Sequence, residues 1–397
     1  MSTHQPGDKN EVIYKTCHAR SGRTSARLLL QHRFLTYMIP FSILDLSPIT
    51  QGATARDALR NTLDLARHAE ALGYRRYWLA EHHNMTGIAS AATSVVIGYV
   101  AGGTNSIRVG AGGIMLPNHS PLVIAEQFGT LASLYPNRID LGLGRAPGSD
   151  MATARALRRD PVTAADRFPE DVAELQDYLA SEEGDGEARA NDESEGPTIP
   201  GFPGIRFHLP KPQRTNGKIR AIPGSGTEVP LWILGSSLFG AKLAAEMGLP
   251  FTFASHFAPD NLLEAFALYR SRFKPSRQLQ RPFAMMAVNV FAADTDDEAQ
   301  RHFTTLQQLF INLRRGTPGQ VPPPVDAIED YALPAEISLA HHMLRYSAVG
   351  SAETVAERLR EIMNETDPDE LMITGHFFNH AARLRSFEIV ARVREML

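Results

Sequence analysis

Cysteine is almost absent from this chain of 397 residues, since Cys17 is the only one. A single cysteine excludes an intrachain disulfide and a cysteine-rich zinc site. A strong charge of one sign is also missing, because 40 Lys and Arg stand against 44 Asp and Glu, for a formal net charge of -4 at pH 7. So small a net charge gives no reason to expect nucleic acid or an anionic membrane as a partner.

Long apolar runs are lacking as well. No run approaches the ~20 residues that a membrane span needs. The leucines at positions 28–30 are followed by Gln31, His32 and Arg33, so this cluster is too short for the core of a signal peptide. We therefore expect a cytoplasmic protein that does not enter a membrane. Hydrophobic residues make up 43% of the chain, which is ordinary for a globular protein with a large core.

Two stretches differ in composition from the rest of the chain. Residues 1–37 are polar, basic and aperiodic, which predicts a disordered extension before a folded domain at 38–397. Residues of about 181–228 are first acidic and then rich in Pro and Gly, which predicts a flexible insertion. This insertion is either a tolerated surface loop or a mobile lid.

Apolar strand-like segments alternate with helix-like segments along the remainder of the chain. The predicted strands are eight segments, at 39–45, 74–80, 107–111, 138–141, 229–234, 250–254, 283–293 and 370–374. Eight strands that alternate with helices predict a (β/α)8 TIM barrel, with insertions after strand 4 and before strand 8. A doubly wound open sheet is the alternative.

Chemically useful side chains follow the second predicted strand, where a barrel builds its active site. Glu81, His82 and His83 stand there in succession. Adjacent strand residues point to opposite sides, so only one of the two histidines can face the barrel mouth unless the chain turns. That histidine could exchange a proton near neutral pH. The HExxH spacing of a helical zinc site is absent, so we predict no metal. Three further histidines also follow strands, and each alone is more typical of a structural residue: His119, His256 and His376.

Glycines and a potential anion site follow the other strands. Gly112 and Gly113 end strand three and would let a flat group lie against the backbone. Gly144 and Arg145 end strand four in a GxGxxxG spacing that Pro147 interrupts, which argues against a Rossmann dehydrogenase and favours an arginine that holds an anion.

The loop after strand five has the features of a second anion-binding element. Ser236, Ser237 and Gly240 lie between this strand and a helix, where hydroxyls and helix N–H groups could bind a phosphate. A serine that simply caps the helix is the alternative.

Together these segments resemble the bacterial luciferase-like monooxygenase family. The matching segments are residues 79–83, 109–117, 138–145, 235–250 and 350–359. The resemblance implies a barrel that binds reduced FMN or, in sister branches, the deazaflavin F420. It implies that His82 is the catalytic base and that a non-proline cis peptide joins Gly112 to Gly113 behind the flavin ring.

The resemblance also assigns the phosphate site and its departures from the family pattern. Arg145 and Ser237 match phosphate-binding residues. Gly240 stands where some members have a threonine, which leaves only a backbone N–H. Gly144 replaces a side chain beside the flavin and leaves more room there.

The function that the resemblance implies is a monooxygenase that uses reduced FMN, supplied by a separate flavin reductase, and O2 to oxidise an unidentified small organic substrate. It also implies a homodimer. Two alternatives stay open: an F420-dependent hydride-transfer oxidoreductase and a non-catalytic flavin-binding protein.

Overall fold

The computed structural model describes residues 38–146, 151–157, 161–181 and 219–397. Within them the chain forms nine strands: β1 Phe41–Asp45, β2 Arg76–Leu79, β3 Arg108–Met115, β4 Ile139–Gly144, β5 Leu231–Gly235, β6 Phe251–Phe253, β7 Ala284–Ala292, β8 Ser347–Gly350 and β9 Glu370–Thr374.

Eight of these strands close into a parallel barrel. The ring runs from β1 through β7 in chain order, β9 pairs with both β7 and β1, and β6 pairs with β7. This closure confirms the predicted (β/α)8 barrel and rules out the open sheet. The ninth strand, β8, lies outside the ring and pairs in parallel with the carboxyl half of β7.

Twelve helices accompany the strands in the described residues. They are α1 Ala55–Ala71, α2 Thr93–Gly102, α3 Pro121–Leu134, α4 Met151–Leu157, α5 Pro161–Ala164, α6 Phe168–Leu179, α7 Leu238–Met247, α8 Leu262–Arg272, α9 Asp296–Arg314, α10 Pro334–Met343, α11 Ala352–Thr366 and α12 His380–Arg394. Thr54 and Asp57 form a capping box that starts α1. Gly73 and Gly248 adopt the left-handed conformation that ends α1 and α7.

A buried ion network closes the amino-terminal end of the barrel. The Arg76 guanidinium lies 2.8 Å from the Asp140 carboxylate and 3.0 Å from the Glu370 carboxylate. Ser42 donates a short hydrogen bond to Glu370, and the Trp78 indole N–H donates to Asp140 at 3.2 Å. Burial works to raise the pKa of Asp140, but the neighbouring arginines outweigh it and hold that pKa below its usual value. Because these side chains fill the amino-terminal end of the barrel, we expect a site at its carboxyl-terminal end.

The two predicted insertions differ in how far the structure describes them. Residues 182–218 of the first insertion lie outside the described residues, as do residues 1–37 of the predicted extension. The described end of the first insertion packs on the barrel, because Ala221 is fully buried and Gly224 is in backbone contact with Gly129 of α3. The second insertion, before the last barrel strand, contains α10 and β8.

None of the helices in the described part of the chain is long and apolar enough to cross a membrane.

Candidate active site

His82 lies just beyond the carboxyl end of β2. Trp78 and Ala80 belong to the cluster that fills the barrel interior, so alternation places His82 on the same side. The side chain is half-buried, and its Nδ1 atom is buried without a hydrogen-bond partner among the described residues. Burial lowers the pKa of His82, while the charge of Glu81 works in the opposite direction. A neutral imidazole with a vacant nitrogen is suited to accept a proton at neutral pH.

Glu81 points away from His82 and ties the loop after β2 to the loop after β3. Its carboxylate accepts hydrogen bonds from the His83 ring at 2.8 Å, the His119 ring at 2.9 Å and the Asn118 amide at 3.2 Å. The backbone N–H of Met115 donates to it at 2.9 Å. Burial opposes ionisation, but these hydrogen bonds outweigh it and lower the pKa of Glu81. Both loops are therefore fixed around an ionised carboxylate.

The side chains of Glu81, His83 and His119 are in contact, which the sequence does not predict. One ligand atom each from Glu81, His83 and His119 lies within 4.8 Å of the others, which is close enough to hold a metal ion. The four hydrogen bonds to Glu81 already satisfy its oxygens, so the set is complete without a metal. The expectation of no metal stays a prediction.

Gly112 and Gly113 lie in a bulge of β3, where its register with β4 shifts. The peptide bond between them is cis, which confirms the conformation that the family resemblance implies. A Cβ at Gly112 would meet Leu44 at 2.7 Å, and one at Gly113 would meet the Gly142 carbonyl oxygen at 2.6 Å. No side chain larger than hydrogen fits at either position without a shift.

Arg145 lies beside the first turn of α7. Its guanidinium carbon is 4.0 Å from the centroid of the Phe239 ring, and its Nε donates to the Ala165 carbonyl at 3.2 Å. Ser237 is the residue that precedes the helix, and its side chain makes no capping hydrogen bond within the described chain. The structure thus places the arginine after β4 against the second residue of α7, which follows the serines after β5 in the chain. The N–H groups of such a helix end attract anions.

The two remaining glycines have close neighbours. A Cβ at Gly144 would meet the Met115 sulfur at 2.8 Å, so the flexible Met115 side chain occupies part of the room that a larger residue would need. A Cβ at Gly240 would meet the Phe251 ring at 3.3 Å. A threonine at position 240 would therefore require the Phe251 ring to move.

Two more histidines lie near the barrel mouth, and from sequence each alone is more typical of a structural residue. His256 follows β6 and His376 follows β9, and the Nδ1 atom of each is buried without a hydrogen-bond partner among the described residues. Burial is the main cause that lowers the pKa of His256 to about 3 and that of His376 to about 4. The charge of His82 also contributes to the lowering of both pKa values.

The chain is similar to known proteins. The family model described as luciferase-like monooxygenase matches residues 39–370. The chain belongs to this family. A luciferase-like monooxygenase of Escherichia coli (strain K12) is 52% identical over 359 residues, which cover 90% of this chain and 98% of the relative. The N-acetyl-S-alkylcysteine monooxygenase of Bacillus subtilis (strain 168) is 31% identical and covers 89% of this chain and 98% of its own length.

Solved structures have the same fold. The crystal structure of apo-MsnO8 matches with a TM-score of 0.73 at 30% identity, over 90% of this chain and 99% of that one. The oxygenating constituent of 3,6-diketocamphane monooxygenase from Pseudomonas putida, in complex with FMN, matches with a TM-score of 0.61 at 18% identity, over 89% and 97%. An F420-dependent secondary alcohol dehydrogenase, with an F420-acetone adduct, matches with a TM-score of 0.54 at 15% identity, over 90% and 99%. The last two likenesses show the fold alone.

Proposed function

We propose that this member of the luciferase-like monooxygenase family uses reduced FMN and O2 to oxidise a small organic substrate. The observation that carries the proposal is the meeting of three elements at one end of the barrel. These are a half-buried histidine with a vacant nitrogen, a side-chain-free wall of two glycines, and a cation beside a helix amino terminus.

The phosphate of FMN fits the group around the start of α7. Arg145 supplies a cation, Ser236 and Ser237 supply hydroxyls, and the first turn of α7 supplies N–H groups that have no partner within the helix. Gly240 offers its backbone alone, so we expect its contribution to the phosphate site to be the weakest of this set. Stacking on Phe239 limits the positions that the Arg145 guanidinium can take, which favours a directed contact with an anion.

The flavin ring fits the space between the β3 bulge and His82. Gly112 and Gly113 present bare backbone, which a flat ring can approach closely. Gly144, on the neighbouring strand, has no side chain at the same rim, where the flexible Met115 side chain takes part of the space. The buried Nδ1 of His82 lacks a partner among the described residues and is available to hydrogen-bond with a bound group.

The cofactor and the chain have different roles in the proposed reaction. Reduced flavin, when bound, supplies the chemistry that activates O2. The barrel excludes water from the ring, the phosphate site fixes its position, and His82 holds or accepts a proton at Nδ1. Because burial keeps His82 neutral near pH 7, it is in the state that a general base requires.

Further parts of the proposal come from family resemblance. We expect a separate flavin reductase to deliver the reduced FMN, and we expect a homodimer that works in the cytoplasm. F420-dependent hydride transfer is the second candidate function, because an F420-dependent dehydrogenase has the same fold. A flavin-binding protein without catalysis would bind the cofactor but form no product in a single turnover.

The test is a turnover assay with FMN, a flavin reductase, NADH and ¹⁸O-labelled O2. Thioethers of the N-acetyl-S-alkylcysteine class form the first substrate panel, because a relative is named for them. We expect one labelled oxygen atom in the product, and we expect labelled product to form ~10²-fold or more slowly with His82→Asn. An oxidised product that carries no label, or one that forms equally in the absence of O2, would rule out a monooxygenase.

A further inference from the structure

The barrel mouth has two chemically different halves. Going round the ring, β3, β4 and β5 are neighbours and contribute the residues of the proposed FMN site. The ring continues from β5 to its neighbour β6 and then to β7 and β9, and the loops after β6 and β9 contribute His256 and His376. His82, on β2, lies between the two halves. We call the side formed by His256, His376 and His82 the imidazole arc.

Backbone and ring contacts hold the two loops that carry His256 and His376. The Asn289 amide donates to the His256 backbone carbonyl at 2.7 Å, and the Phe257 ring packs edge-on against the His256 ring at 4.8 Å. Next to His376, Phe377 stacks on Phe291 with 4.5 Å between ring centroids. These contacts fix the two loops and leave the Nδ1 atoms unpartnered among the described residues.

A buried nitrogen without a partner is unfavourable unless a ligand or water satisfies it. Three such nitrogens around one mouth therefore indicate a place for a polar ligand atom. The FMN phosphate is assigned to the start of α7 beside Arg145, and the flavin ring to the β3 bulge, so a second molecule is the natural partner for His256 and His376.

We propose that His256 and His376 bind the organic substrate, each through an Nδ1–H that donates a hydrogen bond to a carbonyl oxygen of the substrate. The proposal rests on the proposed monooxygenase function, because it needs FMN to occupy the other half of the mouth.

The electrostatics of the arc define the class of substrate. The ionisable groups whose charges act on the two rings are His82, the buried Arg383, and Asp45, which pairs with Arg383 at 2.7 Å. Burial holds the pKa values of His256 and His376 at about 3 and about 4, so both rings are neutral at pH 7. Neutral donors favour an uncharged ketone, ester or amide oxygen over a carboxylate or a phosphate.

The test uses two probes of matched shape and follows histidine ring nitrogens by NMR in the full chain. Cyclohexanone carries a carbonyl oxygen, and methylenecyclohexane has the same shape without it. The variants His256→Asn and His376→Asn assign the signals, and His342→Asn serves as the control, since His342 is an exposed residue that pairs with Asp260. We expect FMN to shift the signal of His82, and cyclohexanone added afterwards to shift those of His256 and His376. Methylenecyclohexane should leave the Nδ1 signals in place.

Three results would overturn the proposal. FMN alone could shift all three histidines, the two probes could have equal effects, or cyclohexanone could shift neither His256 nor His376. If FMN does not bind to the wild-type protein at all, the proposed function fails, and that outcome is seen before any probe is added.

The variants provide a second readout. His256→Asn and His376→Asn should bind reduced FMN within about twofold of wild type, while KM for a ketone or amide substrate rises by about tenfold, the usual scale for one lost hydrogen bond with its partner left unsatisfied. A fall in FMN affinity that matches the rise in KM would place these residues in the cofactor site instead.

Discussion

The guanidinium carbon of Arg145 lies 4.0 Å from the centre of the Phe239 ring, and Phe239 is the second residue of helix α7. This stacking joins the loop after β4 to the helix after β5 and brings a cation to a helix amino terminus. Neither element alone would distinguish a phosphate from any other anion, but together they provide a cation, N–H donors and hydroxyls on one side of the mouth.

The first prediction concerns this pair of loops. Arg145→Ala combined with Ser237→Ala should weaken FMN binding by about a hundredfold, because two charge-assisted or polar contacts to the phosphate are lost. Riboflavin, which has the ring without the phosphate, should bind the variant as it binds wild type. Fluorescence quenching titrations measure both affinities. An equal loss for FMN and riboflavin would contradict a phosphate role for this site.

His82 should be needed for turnover and dispensable for cofactor binding. We expect His82→Ala to retain FMN affinity and to lose turnover by ~10²-fold or more, which is the usual effect of removing an acid–base group. His83→Ala is the informative comparison, because His83 bonds Glu81 at 2.8 Å. Loss of the His83–Glu81 contact should lower the free energy of unfolding and have a smaller effect on turnover than His82→Ala. Unchanged turnover in His82→Ala would defeat the assignment.

The pH dependence of turnover follows from the same residue. Burial lowers the pKa of His82 below its ordinary value of 6.5, and the base must be neutral to act. Activity should therefore be constant through neutral pH and fall only on the acidic side, with an apparent pKa below 6.5. His82→Ala should lose this acidic limb. An acidic limb at or above pH 7 in the wild-type protein would contradict the assignment.

Substitution by alanine should destabilise the fold to different extents at Gly113 and Gly144, two glycines at the rim of the barrel. The Cβ of Gly113→Ala would meet backbone, the Gly142 carbonyl oxygen at 2.6 Å, whereas that of Gly144→Ala would meet the flexible Met115 side chain at 2.8 Å. We expect Gly113→Ala to lose about 2 kcal/mol of unfolding free energy and Gly144→Ala less than 1 kcal/mol. Denaturant unfolding compares them. Equal losses would mean that the β3 bulge is looser than its contacts indicate.

The Glu70 carboxylate should contribute to the free energy of unfolding, and this contribution should be lost in acid. Its carboxylate accepts hydrogen bonds from the backbone N–H groups of Asn105, Ser106 and Ile107, just before β3. Burial works against ionisation, but these bonds lower the pKa of Glu70 from 4.5 to about 2. Because the folded pKa is the lower one, the stabilisation is complete above pH 4.5 and disappears as the pH falls toward 2.

The measurement for Glu70 is the unfolding free energy as a function of pH. Glu70→Gln should cost about 1 kcal/mol at pH 7. The difference from wild type should shrink steadily below pH 4.5. A difference that stays constant down to pH 2 would show that the charge of Glu70 makes no contribution.

The barrel could be predicted from sequence because its strands are buried on both faces and appear as short apolar runs, each followed by a glycine-rich or polar loop. The strand β8 could not be predicted from the sequence. Ser347–Gly350 is only four residues long, has no hydrophobic period, and exists as a strand because it pairs with the end of β7. Such pairing is a tertiary contact that local pattern does not contain.

Some features of the candidate site could likewise be predicted from the sequence, and others could not. Alternation along β2 predicts that only one of His82 and His83 can face the mouth, and the structure places His83 on Glu81. It does not predict that His119 shares that carboxylate, because the contact joins residues 38 positions apart and depends on how β3 bulges beside β2. Likewise, His256 and His376 come together only because the barrel closes between β6 and β9 through β7.

The most direct test of the central claim is an anaerobic absorbance titration of the purified protein with reduced FMN and, in parallel, with reduced F420. We expect saturable binding of reduced FMN that is tighter than that of F420 and is weakened by the Arg145→Ala, Ser237→Ala double substitution. Preference for F420 would move the protein to hydride transfer and make O2 irrelevant. Binding of neither cofactor would leave the barrel in place and contradict its assignment as a flavoenzyme.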